Sequence, residues 1–230
     1  MEGIPQEEKN YYAGEAYFFR AWFYYDKVQK YGDVPWINAP LNTDSEELYK
    51  ARDKREVIMD SILNDIDRAI DYLPVKWSDK EGRVDQGVAL ALKSRMCLYE
   101  GTYRTYHGMS DSRKFLEACV DASEKLIALN RYDIYTTGNP EKDYATLFIS
   151  EDLGDNEEII FYRKYTTGIL GHRLCGYLVQ SGTGATRDFV EDFLCLENGK
   201  ALPLQLTQRY QNDKYEPVGG LSAKKRVQRS

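Results

Sequence analysis

The chain has 230 residues, enough to bury a sizeable core, with 42% hydrophobic and 30% charged residues, the balance of a soluble globular protein. A formal net charge of −6 gives a field that repels phosphate backbones, so nucleic acid is excluded as a partner. No apolar run is long enough to cross a bilayer, and "MEGIPQEEKN" has neither the basic start nor the apolar stretch of a signal peptide.

Residues 7–31 read as one long helix. Ala13, Tyr17, Ala21, Tyr24, Val28 and Tyr31 recur at helical spacing. Phe18, Trp22 and Tyr25 broaden that face until the helix is apolar nearly all round, the pattern of a helix covered by neighbours on several sides. The spacing therefore assigns most of its aromatic residues to the core. "YGDVP" ends the helix, because Gly32 suits a left-handed C-terminal position and Pro35 blocks resumption.

A loop over residues 36–52 precedes a second helix, opened by a capping-box-like pair, Asp53 and Glu56. Its face is Ile58, Ile62, Ile66, Ile70 and Leu73, and Pro74 closes it. "VKWSDKEGR" is a polar turn carrying Trp77. Asp85 caps a third helix with Val88, Leu92, Met96, Tyr99 and Tyr103 on one face. After the break "HGMSDS", a fourth helix runs to about Leu129 on Phe115, Cys119, Ala122, Leu126 and Leu129.

The pattern then changes. "RYDIYTTGNPEKDYATLF" is a loop with one short helix, "EEIIFYRKY" reads as a strand, and "QSGTGATR" is a flexible loop. Residues 188–193 form a helical turn, "ENGK" signals a hairpin, and "SAKKRVQRS" packs nothing. The fold class is thus mainly α: tetratricopeptide-like helix pairs with a loop-rich region containing one or two short strands. Residues 1–130 are the repeat-like region, 131–215 an irregular region packing on it, and 216–230 a disordered tail, one compact domain overall.

No catalytic constellation emerges. The four cysteines, Cys97, Cys119, Cys175 and Cys195, lack the close spacing of a zinc site and read as free thiols. His107 and His172 lie beside glycines in loops with no helical ligand partner, so neither a metal nor any cofactor is expected. "SEDLGDNEE" lacks the alternating ligands and turn glycine of a calcium loop. Asp65 and Asp67 face different sides of their helix, and "SAKK" at Ser222 and Lys225 sits in a basic tail without a pocket. The remaining functional signal is aromatic. Sugar rings have apolar faces that stack on Trp and Tyr, and loop aromatics are the best placed: Trp77, Tyr106, His107 and Tyr135 are the candidate ligand-binding residues.

Several blocks in order resemble one family. "GEAYFFRAWFYYDKVQKYGDVPW" is similar to the "EARFLRA-x-x-Y-F-x-L-V-x-x-YGDVP" helix of the SusD/RagB-like proteins of Bacteroidota. "KREVIMDSILNDIDRAIDYLP" looks like that family's second helix, and "GRVDQGVALALKSRMCLYEGTY" resembles its "GR…A-x-ALKARVYLY" helix. "NEEIIFYRKY" resembles its "SEIIF" strand, and "TRDFVEDFLCLENGK" is similar to "PT-x-x-LVDAFEMKDGK", with Ala185 where proline is usual. The resemblance implies a non-catalytic, surface-exposed lipoprotein of the outer membrane. Such a protein binds a glycan and delivers it to a SusC-like TonB-dependent transporter, for polysaccharide utilization and nutrient uptake. The alternative is a helical-repeat scaffold for protein contacts that binds no sugar. Family members are about twice as long, so the chain reads as a fragment or a truncated product, and membrane attachment would need a lipid anchor absent from it. The resemblance carries over scaffold positions only: Glu15, Arg20, Gly32, Asp33, Pro35, Gly82, Arg83 and Arg95. The charged side chains Glu15, Arg20 and Arg95 are expected to be paired inside the packing, since an unpaired buried charge is very costly.

Overall fold

The computed structural model describes residues 3–77, 82–154, 156–166, 168–171, 174, 176, 184–203 and 206–208. It divides into two compact units, Met1–Lys164 and Tyr165–Ser230. His172, Cys175, the "SAKK" stretch, the tail and much of the "QSGTGATR" loop lie outside the described residues.

Four helices build the first unit: α1 (Gln6–Tyr31), α2 (Arg55–Tyr72), α3 (Gln86–Tyr106) and α4 (Ser112–Ala128). α1 packs on α2, α2 on α3, and α3 on α4, so two helix pairs stack side by side. This is the mainly α, tetratricopeptide-type arrangement that the periodicity implies. A short α5 (Asp143–Ile149) follows, as "EKDYATLF" suggests. The core joins Phe18, Ala21, Tyr24, Tyr25 and Val28 of α1 to Ile58, Ile62 and Ile66 of α2 and to Val88, Met96 and Cys97 of α3, with Phe115 from α4. Two glycines let the pairs close. A Cβ on Gly14 would sit 3.0 Å from Leu73 Cγ, and one on Gly101 would sit 2.7 Å from Leu116 Cγ.

The "YGDVP" stretch folds as a device joining α1 to α2. Gly32 adopts a positive φ of 68° and donates its N–H to the Val28 carbonyl, ending α1. Asp33 Oδ1 accepts the Arg55 N–H at 2.8 Å and so caps α2 from outside that helix. Val34 bridges to Asp53, and the Tyr24 hydroxyl accepts the Ile37 N–H at 2.8 Å. The expected capping box at Asp53 and Glu56 does not form, because α2 begins after Lys54 with no side-chain cap of its own. Asp53 instead accepts the Trp36 N–H at 2.7 Å and pairs with Lys50 at 2.6 Å. At α3 the expected cap is present, with Asp85 accepting the Val88 N–H at 3.1 Å.

Two expectations need correction. Residues 157–165 form no strand: Ile159 donates its N–H to the Asn156 carbonyl in a turn, while Ile160 and Phe161 pack irregularly against the core. Apolar β-branched residues make a strand only where a neighbour completes the ladder, and the described residues offer none there. Second, α1 is not core on all sides. Phe18, Tyr24 and Tyr25 are buried, whereas Tyr12, Phe19, Trp22, Phe23 and Tyr31 are 41–60% exposed. Covered neighbours lie on one side only, so the opposite aromatic side faces outward.

The second unit contains the helical turn α6 (Arg187–Glu191), capped by Thr186 Oγ1, and a hairpin of β1 (Leu194–Glu197) and β2 (Lys200–Pro203). The strands pair antiparallel with Glu197 opposite Lys200. Asn198 and Gly199 both take positive φ, 53° and 75°, which is the two-residue turn that "ENGK" signals.

Candidate functional site

The helix ends sort the candidate residues into two groups. One end of the first unit gathers the start of α1, the end of α2, the start of α3 and the end of α4. There Trp77 donates its Nε1–H to the Val84 carbonyl at 2.8 Å, and its ring meets Tyr11 edge-on at 5.1 Å. The Arg83 guanidinium lies 3.8 Å from the Trp77 ring centroid and is held by Glu15 at 2.5 and 3.2 Å. Gly82, with φ of 70°, turns the chain into this arrangement. Glu15, Gly82 and Arg83 therefore act with Trp77 as one clasp between α1 and the turn before α3. Tyr135, half-buried, lies beyond α4, with its N–H donated to Glu158 Oε2 at 2.9 Å.

The opposite end gathers the end of α1, the 3-10 turn at Glu46–Tyr49, the start of α2 and the end of α3. The Asp33–Arg55 bond and the Val34–Asp53 bridge tie the end of α1 to the start of α2, and Lys50, which follows the 3-10 turn, pairs with Asp53 at 2.6 Å. Arg55 ties them to α3: its Nη2 donates to Glu100 Oε2 at 2.5 Å, and Arg104 Nε donates to Glu100 Oε1 at 2.7 Å. This charged trio is almost wholly buried, with side-chain exposures of 7%, 0% and 2% for Arg55, Glu100 and Arg104. Aromatic faces take up the remaining positive charge: Arg55 lies 3.7 Å from the Tyr103 centroid and Arg104 4.4 Å from that of Phe115.

Tyr106 and His107 sit at this second end. The His107 ring stacks on Tyr103 at 3.9 Å, and its Nδ1 lies 2.8 Å from the Tyr103 carbonyl oxygen, which can only accept, so Nδ1 carries the proton. Tyr106 is 85% exposed, and Tyr49, in the 3-10 turn, is 88% exposed. These are the two most exposed aromatic residues among those described, and Tyr31, the last residue of α1, is 60% exposed. The structure thus separates Trp77 and Tyr135 from Tyr106 and His107. It adds Tyr49, which the spacing of apolar residues does not single out, and Tyr31, which that spacing puts on the covered face of α1 but which is 60% exposed.

Of the charged scaffold positions, Arg20 holds Asp65 of α2 with two bonds of 2.6 and 2.7 Å, and its pKa is raised, chiefly by that carboxylate. Arg95 departs from expectation. It lies on the exposed side of α3, away from the buried Met96, Cys97 and Glu100, where water solvates its charge and no partner is required. Burial pushes the Cys97 thiol up to about 12, so it is no nucleophile at neutral pH.

Lys50, and then the Trp36 N–H, hold the Asp53 carboxyl below the usual carboxylate range. A depressed pKa in the folded state makes this contact stabilising above the unfolded value of about 3.9. The contribution is lost as pH falls through the folded value. Denaturant titrations at several pH values should therefore find Asp53→Ala less stable than the parent near neutrality. The gap should narrow below about pH 4; a gap constant with pH would contradict the assignment.

Among the described residues, no group of three or more His, Cys, Asp or Glu side chains could hold a metal ion. No helix among them is long and apolar enough to cross a membrane. A shallow groove of about 330 Å³ runs between α2, α3 and α4, lined by Ile70, Gln86, Leu90, Lys125, Ala128 and Leu129. It offers no aromatic ring for stacking.

Comparison with known proteins bears on what such an arrangement is for. The SusD-like family model described as "Starch-binding associating with outer membrane" matches residues 2–98, which span α1, α2 and half of α3. A curated relative, SusD-like protein P38 of Formosa agariphila, is 28% identical over 171 residues, covering 72% of this chain and 30% of its own length. The crystal structure of a SusD-like protein from Bacteroides fragilis is 30% identical, with a TM-score of 0.59 over 72% of this chain and 29% of that one. A SusD superfamily protein from Parabacteroides distasonis, at 22% identity, shares the fold with a TM-score of 0.62 over 94% of this chain and 41% of that one. The chain thus spans about a third of the length of the relatives it matches. The ordered sequence blocks, the stacked helix pairs and these matches agree: over its helical part the chain is similar to the SusD-like family.

Proposed function

We propose that this protein binds a glycan without altering it, at the outer-membrane surface, and passes it to a SusC-like TonB-dependent transporter. The observation that carries this reading is the match of residues 2–98 to a starch-binding, outer-membrane family. The exposed tyrosines on the same helices and their connections are consistent with it. Capture would rest on aromatic stacking with hydroxyl-bonding side chains nearby. Affinity would be modest, because a solvated sugar gives up water hydrogen bonds on binding.

Calorimetric titration of the 230-residue chain against a panel of oligosaccharides tests the reading, with saturable heat from at least one member as the expected result. New reducing ends after incubation with polysaccharide would overturn the non-catalytic part. A second reading, a helical-repeat scaffold for protein contacts, is favoured by the outward aromatic side of α1. Silence across the panel, together with capture of an outer-membrane β-barrel, would favour that reading instead.

A further inference from the structure

We infer that the glycan contacts the end of the helix stack bearing Tyr31, Tyr49 and Tyr106, and that it is a neutral oligosaccharide rather than an acidic one. The inference rests on the glycan-binding reading and adds to it a place and a ligand class.

The place follows from connectivity and exposure. Tyr31 closes α1, Tyr49 closes the 3-10 turn and Tyr106 closes α3. The bonds from Asp33 to Arg55 and from Arg55 to Glu100 join the end of α1 and the start of α2 to α3, and Lys50, next to Tyr49, is held to the same segment by Asp53 and the Trp36 carbonyl. Tyr49 and Tyr106 are 88% and 85% exposed, so neither ring is committed to packing. Trp77, by contrast, has its indole N–H bonded to Val84 and Arg83 against its ring, so it is already used by the fold. Separate rings presented from different element ends suit a chain of sugar units, each stacking an apolar face, with hydroxyls reaching the polar residues between.

The class follows from the charges. A uronate or sulfated sugar calls for a free guanidinium fork or a cluster of ammonium groups. At this end Arg55 and Arg104 are buried and share Glu100, while Lys50 is held by Asp53. The exposed Arg52 and Lys54 are offset along the same segment by Asp44, Glu46 and Glu47. With a net charge of −6 over the whole chain, no positive field draws in a polyanion.

The test is calorimetric titration of the 230-residue chain with neutral oligosaccharides (malto-, laminari- and xylo-hexaose) and acidic ones (oligogalacturonate and oligoalginate). The parent, Y49A, Y106A, the Y49A/Y106A pair and F148A are compared, each checked for folding by circular dichroism. Phe148, 69% exposed on α5, is the control for a ring elsewhere. The expected result is binding of a neutral hexaose, weakened about tenfold or more in the double variant and unchanged in F148A. Undiminished binding in the folded double variant overturns the place. Preference for an acidic ligand overturns the class while leaving glycan binding standing. No binding in either set overturns the glycan reading itself, and this inference with it.

Discussion

Replacing Glu100 by alanine should lower the unfolding free energy by about 3–5 kcal/mol, the cost of leaving buried charges without their partner. The carboxylate is fully buried and receives Arg55 Nη2 on one oxygen and Arg104 Nε on the other. Removing it strands two guanidinium groups in a region that water does not reach. The aromatic faces of Tyr103 and Phe115 offset only part of that, since a cation–π contact contributes about 0.5–2 kcal/mol. Lys114→Ala supplies the contrast. Its pair with Asp60 is also within hydrogen-bond distance at 2.9 Å, but the two side chains are 51% and 48% exposed. That variant should fall within about 0.5 kcal/mol of the parent. Urea unfolding followed by far-ultraviolet circular dichroism compares them, and equal effects would contradict the buried trio.

Gly101→Ala is the second large effect, and its sign depends on which of two opposing terms wins. Glycine within a helix is less favourable than alanine by about 1 kcal/mol, so propensity alone favours the change. Packing opposes it. The new Cβ would lie 2.7 Å from Leu116 Cγ and Cδ2 and 3.1 Å from the Leu116 backbone nitrogen, so α4 itself would have to move. Overpacking of this kind costs about 1–3 kcal/mol, and the net expectation is a loss of up to about 2 kcal/mol. Gly14→Ala, whose nearest contacts are 3.0 and 3.1 Å, should lose less. Thermal denaturation ranks the two. A Gly101→Ala protein more stable than the parent would mean that α3 and α4 are less closely packed than described.

What the sequence reveals about this fold depends on how far each cause reaches along the chain. Asp85 is legible as a cap because its partner, Val88, is three residues away, and Asn198-Gly199 is legible as a turn because its φ requirement is local. The four long helices follow from periodicity within each segment. Failures begin where the partner is remote. Asp53 looks like the cap of α2, yet Asp33, 22 positions upstream of Arg55, does that work. Glu100 and Arg104 stand four apart on α3, but nothing local says that Arg55, 45 positions away, completes the trio. For α1, an all-round apolar surface carries no information about which side is covered, and the outward aromatic side becomes visible only in three dimensions. Arg95 was legible as a charge on an apolar helix, but not its side.

For the candidate site the same rule applies. Tyr106 and His107 could be named from their loop-edge position, whereas Tyr49 and Tyr31 become candidates only through their exposure in the folded chain. Trp77 looked available among charged neighbours in sequence. Those neighbours include Arg83, which occupies it.

The closure at the base of the segment between α1 and α2 has a consequence for how such a chain can vary. Asp33 to Arg55 and Val34 to Asp53 pin the two ends of that segment together before its tip is reached. The helices then receive no strain from what lies between, and lengthening the tip costs only about 0.6 kcal/mol per doubling in closure entropy. Tyr49 rides on this replaceable strip. If Tyr49 serves the proposed surface, ligand preference can be rewritten by insertion, deletion or grafting within one short stretch while the helical frame keeps its register.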